Sequence, residues 1–171
     1  MTITETAAAT DEELVSRLVD ELLEAIPPTA SNVVAFLGAQ FDRGLAWVHF
    51  PAGLGGLGIS PKHQKVVNER INAAGGPAAM WRNPIGYGMC APTLIGWASD
   101  EQKERYLRPL FTGEEVWCQL FSEPGAGSDF AGLAAKGVKD GDEWIVNGQK
   151  VWTSLAHVSR WGLLVVRTDP E

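Results

Sequence analysis

Two short stretches of this sequence hold residue types that can do binding chemistry. Residues 119–129 read Gln-Leu-Phe-Ser-Glu-Pro-Gly-Ala-Gly-Ser-Asp. Gly125 and Gly127 permit positive φ and close backbone approach, so successive N–H groups can turn into a concavity that accepts an anionic oxygen. Ser122 and Ser128 set a hydroxyl on either side of that turn. A Pro-Gly surface turn without a ligand has the same composition, and these residues alone leave both readings open. The second stretch, Trp152-Thr153-Ser154, puts an indole beside two hydroxyls. By residue type alone, Trp152 reads as a core indole.

Other chemistries lack their residues. Gly-x-Ser-x-Gly is absent, so Ser128 has no nucleophile elbow, and His157 with Asp129 is a coincidence of types. His-Glu-x-x-His, Cys-x-x-Cys and Walker sequences are also absent, so no metal site is expected. His63 has no partner His or Cys at i+4 and reads as packed or solvated. Gly53, Gly55 and Gly58 satisfy Gly-x-Gly-x-x-Gly, a pattern that binds dinucleotides only between a strand and a helix, with an acidic residue about 20 positions on. Pro51 interrupts the approach and nothing acidic stands near position 78, so the segment reads as a glycine-rich loop.

The elements that must position the two stretches follow from periodicity. Thr10 and Glu13 make a capping box, and Leu14, Val15, Leu18, Val19, Leu22, Leu23 and Ile26 recur at helical spacing until Pro27-Pro28. A second helix is expected over 31–43, stopped by Gly44. Ser60-Pro61 opens a third, with Val66, Val67, Ile71 and Ala74 inward and Gly75-Gly76-Pro77 at its end. Pro92 opens a short helix through Leu94 and Ile95. Ser99 and Gln102 form another capping box, with Tyr106, Leu107, Leu110 and Phe111 inward and Gly113 as the stop. From Val116 the pattern becomes β-like: strands over 116–121, 134–139 and 161–167, a turn at Asp140-Gly141, and a hairpin of 144–146 with 149–152 turning at Asn147-Gly148.

The chain has 171 residues, 45% of them hydrophobic, and a net charge of −7. That acidic balance argues against nucleic acid or an anionic membrane surface as partner. No apolar run approaches the roughly 18 residues needed to span a bilayer. Residues 1–10 contain Glu5 and no Arg or Lys, unlike a signal or transit peptide, so a soluble, cytoplasmic protein is expected. Cys90 and Cys118 lie among apolar or small residues and read as buried, reduced thiols.

Taken together, the longer strings say more than their parts. Glu-Pro-Gly-Ala-Gly-Ser-Asp at 123–129, led by Trp117-Cys118-Gln119 and followed by Asn-Gly-Gln-Lys-Val-Trp-Thr-Ser at 147–154, resembles the flavin-binding segments of the acyl-CoA dehydrogenase family. The resemblance extends upstream through Glu101-Gln102-Lys103, Ala91-Pro92-Thr93-Leu94 and Gly55-Gly56-Leu57-Gly58, covering most of the chain from Gly44 onward. It implies an α+β multidomain fold: an all-α N-terminal domain over 1–115, then the beginning of a β-barrel-like middle domain over 116–171. The C-terminal helical domain of the family would lie beyond Glu171, and the chain is expected to be truncated.

The resemblance further implies α,β-dehydrogenation of an acyl-CoA thioester, a hydride passing to FAD, within fatty acid or lipid catabolism. Gln119, Phe121 and Ser122 would line the flavin ring, and Gly127 and Ser128 would approach the phosphate-bearing side. Ser128 would also border the CoA arm of the substrate. Trp152, Thr153 and Ser154 would supply the second flavin contact. Position 119 varies in the family, and position 154 is often threonine. The glutamate base is expected beyond Glu171, so this chain carries no catalytic residue; Glu123 and Asp129 are read as accepting local N–H bonds. An electron-transfer acceptor and a homo- or hetero-oligomeric assembly are also implied. Two alternatives stand beside this reading: a non-catalytic binding or structural subunit of the same family, and a flavin oxidase or monooxygenase on the same scaffold.

Overall fold

A computed structural model describes residues 10–169. Six α-helices precede the strands: α1 (Asp11–Ala25), α2 (Val33–Asp42), α3 (Gln64–Ala73), α4 (Ala79–Arg82), α5 (Ala91–Trp97) and α6 (Asp100–Thr112). Four short strands follow: β1 (Trp117–Leu120), β2 (Lys136–Asp140), β3 (Glu143–Asn147) and β4 (Trp161–Leu164). This order, helical first and strand-bearing second, is the one the sequence leads one to expect.

Local chemistry sets the helix ends. Both capping boxes form, Thr10 with Glu13 at α1 and Ser99 with Gln102 at α6, each closing two backbone N–H groups that a helix start leaves open. Gly113 ends α6 at φ 73°, a left-handed cap that favours glycine. Asn32 caps α2 by accepting from the Val34 N–H. Pro61 opens a 3₁₀ turn that leads into α3. The α4 turn has no counterpart in the periodic pattern, because four residues are too few to show a period. A π-helical turn at Gly86–Cys90 continues directly into α5, so the helical path begins six residues before Pro92.

Val15, Val19 and Leu22 of α1, Phe36 and Leu37 of α2, Val67 and Ile71 of α3, and Leu107, Leu110 and Phe111 of α6 form one core. Burial of each such side chain contributes about 1.5–3 kcal/mol. The non-helical segment after α2 belongs to this core as well: Trp47 stacks on Phe50 and meets Tyr87 and the edge of Phe111. The glycine-rich loop folds back on that segment, with Leu57 and Gly58 donating to the Val48 and Phe50 carbonyls. A Cβ on Gly56 would sit 2.0 Å from the Phe50 carbonyl oxygen, so the glycine there serves close backbone packing. No strand precedes this loop among the described residues.

Asn83 joins the helices to the first strand. Its side chain is fully buried; Nδ2 donates to the carbonyls of Leu110 and Glu115, and Oδ1 accepts from the N–H groups of Gly86 and Trp117. One amide therefore satisfies the end of α6, the π-helical turn and the start of β1. Beside it, Tyr106 packs edge-on against both Trp117 and Trp161. Glu115 accepts a two-pronged contact from Arg105 and a bond from the Trp161 indole N–H.

Strand pairing differs from the sequence-based expectation in one place. β1 and β4 run parallel, Trp117 opposite Trp161, while β2 and β3 form an antiparallel hairpin that turns at Gly141-Asp142. The expected hairpin around Asn147-Gly148 is not present; residues 149–152 form no strand. Gly148 is extended at φ 159°, and a Cβ there would lie 2.4 Å from that of Ala135. Packing against Ala135, not a turn, is what requires glycine at this position.

Candidate functional site

The two stretches singled out by their residue types lie against each other. β1 carries Gln119 and delivers Phe121 and Ser122 just past its end; the Val151 N–H donates to the Ser122 carbonyl at 2.9 Å. Downstream, the Arg160 N–H donates to the Val116 carbonyl and the Val165 N–H to that of Leu120, so the later segment is tied to β1 and its two flanks. Sequence spacing places these residues some 30 positions apart; the parallel β1–β4 pairing brings them together.

A buried ion pair reinforces the seam. Lys150 Nζ lies 2.8 Å from Glu123 Oε1 and also donates to the Phe121 carbonyl at 2.9 Å. Glu123 accepts two more bonds, from the N–H of Ala134 at 2.6 Å and of Ala135 at 3.0 Å. Both side chains are almost completely buried. The hydrogen bond from Lys150, then those from Ala134 and Ala135, hold the Glu123 carboxyl down to about 2, so it is ionised under any ordinary condition. Glu123 was expected to accept local N–H bonds; its partners are instead 11, 12 and 27 residues away. Neither Glu123 nor Lys150 stands out in the sequence as part of a site, though each lies within one of the two strings that carry the family resemblance.

Past Glu123 the chain makes a tight reversal, Glu123 and Ala126 exchanging both backbone bonds around Pro124-Gly125. Gly125 and Gly127 adopt no positive φ, contrary to the expectation for a concave turn. Open space surrounds both: a Cβ on either would meet nothing within 4 Å. Gly127 and Ser128 lie exposed beyond this reversal.

Trp152 is different in kind. It is a non-glycine residue at φ 54°, in the left-handed region that costs an L-residue roughly 1–2 kcal/mol, and its indole is 77% exposed. The core placement suggested by residue type is therefore wrong for this tryptophan. Leu155 repeats the left-handed conformation at φ 63°. Backbone strain of this sort concentrates where a side chain must be presented in a fixed direction. Among the described residues, the hydroxyls of Ser122, Ser128, Thr153 and Ser154 make no hydrogen bond to protein. The structure thus bonds Ser122 to Val151, the residue before Trp152-Thr153-Ser154, and leaves Gly127 and Ser128 exposed past the reversal.

The remaining titratable groups offer little to chemistry at this seam. Burial, assisted by nearby Cys118, pushes the Cys90 thiol up to about 12. Both cysteines are free and buried, as their neighbours in sequence suggest. Among the described residues no group of His, Cys, Asp and Glu side chains is arranged to hold a metal ion, and no helix is long and apolar enough to cross a membrane. A cavity of about 390 Å³ lies in the helical part, lined by Gln40, Ile71, Tyr87 and Phe111 among others; no residue of the two stretches lines it.

What the geometry defines is a helical bundle feeding a strand-borne seam, with hydroxyls unbonded to protein and a solvent-facing indole. Residues 4–114 match the family described as "Acyl-CoA dehydrogenase, N-terminal domain", and residues 118–171 match "Acyl-CoA dehydrogenase, middle domain". The chain belongs to the acyl-CoA dehydrogenase family. It is 44% identical over 134 residues to acyl-CoA dehydrogenase FadE34 of Mycobacterium tuberculosis, a match covering 78% of this chain and 18% of that protein. Among solved structures it is similar to the ChsE4-ChsE5 complex from Mycobacterium tuberculosis, with 31% identity and a TM-score of 0.60, covering 97% of this chain and 45% of that one. A glutaryl-CoA dehydrogenase from Mycobacterium smegmatis in complex with FADH2 shares the fold at 20% identity and a TM-score of 0.57, over 97% of this chain and 45% of that one. Across five of the curated relatives it matches, the chain spans between 18% and 35% of their length.

Proposed function

We propose that this chain supplies the N-terminal helical domain, residues 1–115, and the first part of the middle domain, residues 116–171, of a flavin-dependent dehydrogenase acting on an acyl-CoA thioester. The observation that carries this reading is the seam itself. Ser122 and Val151 are bonded, so Phe121-Ser122 and Trp152-Thr153-Ser154 border one surface, with hydroxyls free to bond a ligand and an indole held out by a strained backbone. Family membership and the FADH2 named in one fold neighbour support the choice of flavin.

On this reading each residue has a limited task. Phe121 and the Trp152 indole give a flat ring apolar surfaces and exclude water from it. The Ser122 and Ser154 hydroxyls bond its polar edge, and Thr153 adds a third polar tip. Gln119, half-buried on β1, lines the same side. Gly127 and Ser128 offer backbone N–H groups and a hydroxyl to phosphate, and Ser128 borders the CoA arm. Bound FAD would supply the hydride acceptor for the substrate β-carbon. These residues fit such a group by type and by exposure.

Glu123 cannot be the base that removes the α-proton. Its carboxyl is buried, triply bonded and held near 2, far too weak a base for that proton, so no catalytic residue is assigned to this chain. Assembly with further chains, an electron-transfer acceptor and a cytoplasmic location complete the proposal. The test is a flavin spectrum of the protein isolated, with whatever polypeptides accompany it, from the cells that make it. Stoichiometric flavin absorbance is expected; a colourless preparation that takes up no added FAD would refute the reading.

A further inference from the structure

The buried pair beside the seam performs a task that hydroxyls and indole cannot perform for themselves. Lys150 precedes Val151, whose N–H meets Ser122, and Glu123 follows Ser122 directly. The ion pair therefore stands next to the backbone bond that joins the two stretches. It is also anchored at a third place, since Glu123 accepts from Ala134 and Ala135, the residues that lead into β2. Lys150 is anchored independently by the Phe121 carbonyl. Three segments of chain thus converge on two side chains, both more than nine-tenths buried, and every bond involved is charge-assisted.

We propose that Glu123 and Lys150 are a positioning pair, fixing the separation and register of Phe121-Ser122 against Val151-Trp152 so that both stretches present one preformed face to the flavin. The proposal rests on the flavin reading above. A ligand bonded simultaneously by Ser122 and Ser154 requires the two backbones to be held before it arrives; otherwise ordering them is charged against binding. The left-handed Trp152, two residues past Lys150, needs a fixed neighbour for the same reason: a strained conformation persists only where surrounding bonds over-determine it. Exchange of the pair for neutral groups is not a neutral change. Gln at 123 would face amide N–H groups or the Lys150 ammonium with its own NH₂, and Met at 150 would leave a buried carboxylate and the Phe121 carbonyl short of a donor.

The experiment compares the wild-type protein, as isolated with its accompanying polypeptides, with Lys150→Met. Amide hydrogen exchange at Val151 and the FAD dissociation constant are measured on each. Lys150→Met is expected to speed Val151 exchange at least tenfold and to weaken FAD binding at least tenfold, with exchange in α1 unchanged. Should α1 exchange also rise, Glu123→Asp, which keeps the charge and shortens the arm by one methylene, is the milder variant and must move both readouts in the same direction. Unchanged Val151 exchange would overturn the clamp. Faster exchange with an unchanged FAD dissociation constant would overturn its positioning role. A wild-type protein that binds no FAD, while Lys150→Met still speeds Val151 exchange, would refute the flavin reading and with it the positioning role, leaving only a structural clamp.

Discussion

At the scale of single residues, Trp152 and Asn83 show opposite uses of conformational energy. Trp152 holds a left-handed backbone while leaving about three quarters of its surface to solvent, so the fold gains little from it. Asparagine tolerates that conformation far better than tryptophan. Trp152→Asn is therefore expected to raise stability by up to about 1 kcal/mol in urea denaturation while weakening FAD binding at least tenfold, the exchange of stability for function that strained sites often display. A loss of stability would show that the indole packs and does not serve a ligand. Asn83 is the reverse case: buried, with four backbone partners in three segments. Asn83→Ala is expected to cost about 3–5 kcal/mol, because it strands several buried polar groups at once. A change below about 1 kcal/mol would mean that water replaces the amide without penalty.

The scale of elements shows what was legible and what was not. Helix starts were legible, because Thr10, Ser99 and Pro61 act on the neighbouring turn, and local chemistry decides them. The Asn147-Gly148 turn was not, because the same dipeptide serves either a hairpin or a close packing contact, and only the distant Ala135 settles which. Parallel pairing of β1 with β4 was hidden for a similar reason: 40 residues of intervening chain separate the strands, and no local pattern reports on register over that span. Of the candidate site, the strings at 119–129 and 147–154 were recognisable as sequence, whereas the ion pair that fastens them was visible only once their partners were in place.

That ion pair also sets an acid response. The folded Glu123 carboxyl sits at about 2 against an ordinary 4.5, so it binds its proton less readily folded than unfolded. Its contribution is complete above about pH 5 and is lost as pH falls from 4.5 towards 2. Urea midpoints measured from pH 6 down to pH 2.5 are expected to fall more steeply for wild type than for Glu123→Gln, the two curves converging at the acid end. Parallel curves would show that Glu123 is not depressed by the fold.

For the whole molecule, stability and the proposed function reside in different parts. The helical part contains most of the core, including Phe36, Leu37, Leu107 and Phe111, whereas all five residues of β3 are exposed. Phe111→Ala is expected to cost about 3–5 kcal/mol in equilibrium unfolding, since its ring contacts Phe41, Trp47 and Tyr87. The same change should leave the seam residues in place, because none of them packs on Phe111. The β2–β3 hairpin, exposing Val138, Trp144, Ile145 and Val146, has little to hold it beyond its own ladder and the bridge from Lys136 to Arg167. Its amides are expected to exchange faster than those of α6.

If two stretches distant in sequence form one face for a flavin, amide hydrogen exchange with and without FAD will report on both at once. Protection on FAD addition is predicted to appear together in residues 119–129 and 149–154, at the same FAD concentration, with α1 and α3 unchanged. Protection confined to one stretch, or to neither while FAD is demonstrably bound, would contradict a shared face.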